Sequence, residues 1–157
     1  AGHIIQIKHQ FYDTLTVETG TTAGNYTDTG ITATIRPRSA SNKVFIMYNI
    51  EGIVAYISSY HKEPDFKLLR GSTDLQEHIN IIFKGGTTMF IPTSGEQAGF
   101  SSMYLDSPSS TSDVTYKIQM KAGTSGSGGK VGINAYGGQS TNKGGGGSSM
   151  LLMEVAG

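Results

Sequence analysis

Four histidines, twelve carboxylates and 17 serines are the side chains from which any metal, acid–base or nucleophilic centre in this chain would be built. His61, Glu63 and Asp65 alternate as ligands on one face of a strand would. Pro64 sits inside that run and argues against strand geometry, so the segment reads as a solvated polar loop. Glu77 and His78 are a second adjacent pair. His3 and His9 are six residues apart on one strand, too far at about 3.3 Å per residue to share an ion. Between subunits they could meet their equivalents around a symmetry axis. No metal and no cofactor is expected.

Nucleophilic chemistry needs a hydroxyl activated by a base, and abundant serine makes no single one stand out. No Gly-x-Ser-x-Gly elbow is present. Gly123 to Lys130 is glycine-rich, but its spacing fails the phosphate-loop pattern and no helix former follows Lys130. Twelve acids and no Trp give little footing for paired carboxylates acting on a glycosidic bond. The expectation is a protein without catalytic activity. Aromatic side chains offer a different chemistry: Tyr56, Tyr60 and His61 fall in a loop, and Tyr136 lies beside a glycine-rich stretch. Such rings stack on sugars or fill a partner's pocket, or they cap the edges of a sandwich.

The elements that must position these groups follow from composition. With 22 Gly, 17 Ser and 17 Thr, only 15 % charged residues and 36 % apolar ones, the chain disfavours long helices and favours short strands joined by turns. Ile5 and Ile7 alternate with Gln6 and Lys8, the period of a half-buried strand. Glu18 to Gly30 reads as turn-rich, and Ile31 to Ile35 as the next strand, ended by Pro37. Lys43 to Ile57 is the strongest segment, because Val44, Ile46, Tyr48 and Ile50 alternate with Phe45, Met47, Asn49 and Glu51. One face of that strand meets the core. Phe45 and Met47 need cover from a second sheet, a loop or another subunit, and are candidate subunit-interface residues.

Further strands are expected over 66–70, 75–83, 89–91 and 100–105. Tyr116, Ile118 and Met120 alternate with Lys117, Gln119 and Lys121, one face dry and one wet. Residues 123–147 hold 11 of the 22 glycines around a short strand at 131–136. In 150–155, Leu151, Met153 and Val155 face one way. The fold expected is all-β, an antiparallel β-sandwich of jelly-roll type with about eight to ten short strands, as a single domain over 1–157.

Twelve basic and twelve acidic residues cancel, so the charge excess of a nucleic-acid binder is missing and no nucleic-acid partner is expected. A neutral chain also lacks the self-repulsion that opposes association. Zero cysteines exclude disulfides and thiolate sites. The longest apolar stretch, 44–57, is interrupted by Asn49, Glu51 and Gly52 and is shorter than a span, so no membrane insertion is expected. Ala1-Gly2 reads as a natural start after loss of an initiator Met.

A set of blocks spread along the chain carries a resemblance: His3 to Ile7, Asp28 to Ile31 leading to Thr34-Ile35-Arg36-Pro37, Ser41 to Val44, Leu69 to Thr73, Tyr104 to Pro108, Thr115 to Gln119 and Met153 to Gly157. In these the chain resembles small β-sandwich proteins and terminal modules of tailed bacteriophages, notably marine and cyanobacterial phages, described as virion structural or tail-fibre-like proteins. Loops 53–66, 74–100 and 122–147 depart from that pattern. The resemblance implies a non-enzymatic role on the exterior of a phage particle, a homotrimer, and other virion proteins as partners. Two readings stay open: a knob decorating or cementing the capsid or tail, and a tail-fibre tip that touches host cell-surface glycan. A glycan-degrading enzyme is a third, from another class.

Overall fold

The computed structural model describes residues 2–19, 25–56, 64–78, 98–121, 130–135 and 147–157. They form ten strands: β1 (Ile4–Tyr12), β2 (Thr16–Thr19), β3 (Thr27–Ile35), β4 (Lys43–Tyr56), β5 (Asp65–Arg70), β6 (Thr73–His78), β7 (Ala98–Asp106), β8 (Val114–Lys121), β9 (Lys130–Ile133) and β10 (Ser148–Val155). Every pairing is antiparallel.

The larger sheet is six strands laid four abreast. Both β10 and β9 pair with β4, with Ser149–Val155 along its first half and Lys130–Gly132 along its last residues. Outside them lie β1 and then β2, and β7 covers the other side of β4. The second sheet runs β3-β8-β5-β6. With β1/β2 and β10/β9 each counted as one column, the larger sheet reads β1-β10-β4-β7, and β3, β5–β6 and β8 all cross to the other layer. This is the eight-column, two-sheet order of a jelly roll.

Between the sheets lies a core in which alternate residues of facing strands interdigitate: Val44, Ile46, Tyr48 and Ile50 from β4, Met150 and Leu152 from β10, Ile31 and Ile35 from β3, Phe66 and Leu68 from β5, and Tyr116, Ile118 and Met120 from β8. Each fully buried aliphatic side chain contributes about 1.5–3 kcal/mol. The dry face expected at Tyr116, Ile118 and Met120 is this core face.

Strand β4 is too long for one neighbour, and a waist divides it. Gly52 has φ +58°, and a Cβ there would meet the backbone of Ala135 at 2.7 Å. The register with β7 shifts between Ile50 and Ile53. Asn134, itself at φ 56°, plugs the waist. Its Nδ2 donates to the carbonyls of Tyr12 (3.1 Å) and Thr14 (3.0 Å), and its Oδ1 accepts from Ser148 N (3.1 Å) and Oγ (2.6 Å). Its backbone N donates to Glu51 O at 2.8 Å. Side chain and backbone of this one residue thereby join the β1–β2, β9–β10 and β4 breaks.

Two readings of the sequence change. Within the interval read as turns, Glu18 and Thr19 end strand β2 and Thr27–Gly30 begin β3. Gly30 (φ +89°) is not a turn residue but a close approach, where the Tyr12 ring occupies the space of a Cβ. In β1 a register shift between Ile4 and Gln6 reverses the expected polarity. Ile7 is exposed, while Gln6 turns to the sandwich side and donates from Nε2 to the buried Glu154 at 2.6 Å.

Candidate functional site: the outer face of the larger sheet

Residues paired directly across antiparallel strands share a face, so the register reads out the composition of the surface turned away from the core. One row is Ile7, Met153, Phe45 and Leu105, from β1 through β10 and β4 to β7. The next is His9, Leu151, Met47 and Met103, and the third is Phe11, Ser149, Asn49 and Ser101. Ile4 and Val155 begin a further row that ends on Lys43. Ile7, Phe11, Met103 and Leu105 are 50–60 % exposed and Met47 40 %. Phe45, Leu151 and Met153 are half-buried by their neighbours. The result is a continuous apolar band that reaches both edges of the sheet.

The ionisable side chains on this face stand mostly at its ends. Lys43 ends the Ile4–Val155 row, and Glu51 lies beyond the third, where it accepts from Asn49 Nδ2 at 3.0 Å. Within the band only His9 can carry charge. A depression of about 280 Å³, lined by His9, Met47, Asn49, Ser101, Met103, Ser149 and Leu151 among others, lies between the second and third rows. Its chemistry is that of apolar contact edged by hydroxyl and amide groups.

The opposite outer face has the contrary character. On β8 and β5 the side chains of Lys117, Lys121 and Lys67 are matched by carboxylates: Lys117 Nζ lies 2.9 Å from Asp28, Lys121 Nζ 3.0 Å from Asp65 and Lys67 Nζ 3.1 Å from Asp74. Lys67 and Lys121 both stand over the Tyr26 ring, 4.4 and 4.6 Å from its centre, and Tyr26 Oη donates to Glu77 at 2.6 Å. Burial and Glu77 raise the Tyr26 pKa. For Asp28 burial acts upward, but the bonds from Lys117 and Gln119 outweigh it and lower the pKa. These charges are mutually satisfied: Lys121 and Asp65 are largely shielded, while Asp28 and Asp74 stand in water.

Three further polar clusters act as internal ties. Glu154, fully buried, accepts from Asn42 Nδ2, Arg38 N and Gln6 Nε2, each at 2.6 Å. Burial alone would raise its pKa, yet these donors bring it below the usual carboxylate range. Asp106 accepts from Tyr116 Oη at 2.7 Å and from Arg70 Nη1 at 2.9 Å, and burial and this carboxylate raise the Tyr116 pKa. Tyr48 and His78 share a hydrogen bond at 2.6 Å between the layers. Burial pushes the Tyr48 phenol up to about 12 and lowers the pKa of His78.

The residues singled out in the sequence fall as follows. Phe45 and Met47 both lie on the outer face, in adjacent rows. Tyr56 ends β4, and its side chain is outside the described residues, as are Tyr60, His61 and Tyr136. Asp65 pairs with Lys121. Glu77 and His78, neighbours on β6, go to opposite sides, one to Tyr26 and the other inward to Tyr48. Among the described residues no three His, Asp or Glu side chains are gathered for a metal ion. Ile7, Met103, Leu105, Leu151 and Met153 complete the band around Phe45 and Met47. Alternation showed that Leu151, Met153 and Val155 share a side, but only the pairing with β4 shows which.

No protein-family model matches the chain, and no curated protein matches it.

Proposed function

We propose that the chain is a non-enzymatic structural protein of a bacteriophage particle, a homotrimeric knob that decorates or cements the exterior of the capsid or tail. The observation that carries the reading is the apolar band on the larger sheet, set against the ion-paired face of the smaller one. A molecule whose one outer face carries its charges in matched pairs and whose other is an exposed apolar band is built to be covered on the second. A formal net charge of zero removes the repulsion that would oppose assembly of identical copies. The jelly roll serves viral shells and lectins alike, so the fold leaves the particle assignment to the sequence resemblance.

The test is location and copy number. Quantitative mass spectrometry and antibody labelling of purified particles are expected to find many copies over the head or tail exterior. A few copies confined to the tail end would replace the knob with the receptor-binding tip and its host glycan. Turnover of host polysaccharide by the purified protein would defeat both.

A further inference from the structure

The connections from β3 to β4, from β5 to β6 and from β7 to β8 lie at one end of the sandwich, together with the start of β1 and the end of β10. Hydrogen bonds fasten each of them to a neighbour. Arg36 O accepts from Gln6 Nε2 at 2.7 Å, and Arg36 Nε donates to Thr111 O at 3.1 Å. Gly71 N donates to Thr115 O at 2.8 Å, Ala156 N to His3 O at 3.0 Å and Gly157 N to Asn42 Oδ1 at 3.2 Å. An end tied in this way keeps its shape when a partner arrives, so binding costs little ordering.

Charge gathers at the same end. All three arginines of the chain, Arg36, Arg38 and Arg70, stand there. Among the described side chains Lys67, Arg70, Lys117 and Lys121 each have a carboxylate within 3.1 Å. Lys8, Arg36, Arg38 and Lys43 have none, and all four are exposed. Arg36 and Arg38 lie between β3 and β4, Lys43 begins β4, and Lys8 stands two residues along β1 from Gln6 on the same side. The carboxylates of this end are turned inward. Glu154 and Asp106 are buried and bound to internal donors. Glu154 offsets part of the Arg38 field but offers a partner no surface. Asp74 is held by Lys67, which leaves Asp113 as the one exposed carboxylate of this end without a cation partner among the described residues.

We infer that this end is the face by which the chain is held on the particle, a step that rests on the proposed function, and that its partner is a protein surface rich in carboxylates. A guanidinium meets a carboxylate through two parallel hydrogen bonds. In Arg36 the Thr111 carbonyl holds Nε, and the edge formed by the two Nη groups stays open for that contact. Nucleic acid suits the end less well, because a neutral chain lacks the long-range pull on which phosphate binding depends. Docking at the strand ends leaves the apolar sheet face uncovered.

Beads coated with poly-L-glutamate serve as the probe. The native chain is expected to be retained at low salt and released as salt rises, since exposed charges are screened beyond about 10 Å at 0.1 M. Arg36→Glu with Arg38→Glu, and separately Lys8→Glu with Lys43→Glu, should each weaken retention about tenfold or more, whereas Lys117→Ala should not. The side chains of Lys8 and Lys43 make no hydrogen bond among the described residues, so that pair decides the matter if circular dichroism finds the arginine pair unfolded. Equal retention of the native chain and a folded variant would overturn the docking end. Tighter retention on DNA-cellulose than on poly-L-glutamate would overturn the carboxylate partner. On purified particles, a zero-length carbodiimide should join Lys8 or Lys43 to a carboxylate of another particle protein. Linkage through Lys67 or Lys117 instead would overturn the docking end with the particle reading intact. Particles without the chain would overturn the particle reading, and with it the particle protein as partner, even where the beads retain the chain.

Discussion

At the scale of single residues, the buried ionisable groups tie the layers together and make stability depend on pH. Glu154 holds Gln6, Arg38 and Asn42, and through them β1 and the segment between β3 and β4. Its folded pKa lies below its ordinary value, so its contribution is complete above about pH 4.3 and is lost as pH falls through the folded value. Glu154→Gln places an amide donor where three donors already converge, and should cost about 2 kcal/mol or more at neutral pH. It should also flatten the acid limb of the unfolding midpoint, measured by thermal denaturation from pH 7 to 3. His78 acts in a separate window. Half-buried against Tyr48, it has a folded pKa below that of the unfolded chain, so the unfolded state takes up the proton first. Stability should therefore fall already as pH drops below about 6.5, and His78→Gln should remove that step while leaving the lower one.

At the scale of elements, the waist of the larger sheet is the most demanding construction. Gly52→Ala requires an L residue at φ +58° and a Cβ within 2.7 Å of the Ala135 backbone. A loss of about 2–3 kcal/mol is expected, read as a lower denaturation midpoint with an unchanged denaturant slope. Asn134→Ala removes two donors and the acceptor that meet the breaks in β1–β2 and β9–β10. It should cost a similar amount, because Ser148 N and Oγ are left buried without that acceptor. Amide exchange should then rise at Tyr12–Thr16 and Ser148–Met150 before it rises in β8.

At the scale of the whole molecule, the two outer faces predict opposite responses to mutation. Met47→Glu puts a carboxylate in the middle of the apolar band, where the protomer leaves it wet and the assembly buries it. It should leave the protomer's far-UV spectrum and its own unfolding nearly unchanged while shifting light scattering from the assembled to the single-chain mass. Lys117→Ala, on the ion-paired face, should change neither the assembled mass nor stability by more than about 1 kcal/mol. Salt should weaken assembly little, since the band holds no ion pair to screen.

Much of the fold was legible because a strand's period of two is written in single residues. Tyr116, Ile118 and Met120 against Lys117, Gln119 and Lys121 declare a core face without any partner. Lys43 to Tyr56 declares a central strand with two apolar sides. What alternation cannot state is which of two apolar sides is inside, nor that one inserted residue has changed the phase. In β1 a single bulge turned Gln6 toward Glu154 and left Ile7 outside. The outer band exists only because β1, β10 and β7, remote from β4 in the chain, pair with it in a register that aligns their apolar residues row by row. Composition and periodicity are local and determined most of the described strands, though not β2 or the first half of β3. Face and register are relations between distant segments, settled by closing the core and satisfying every buried polar group at once, and the tertiary structure alone decided them.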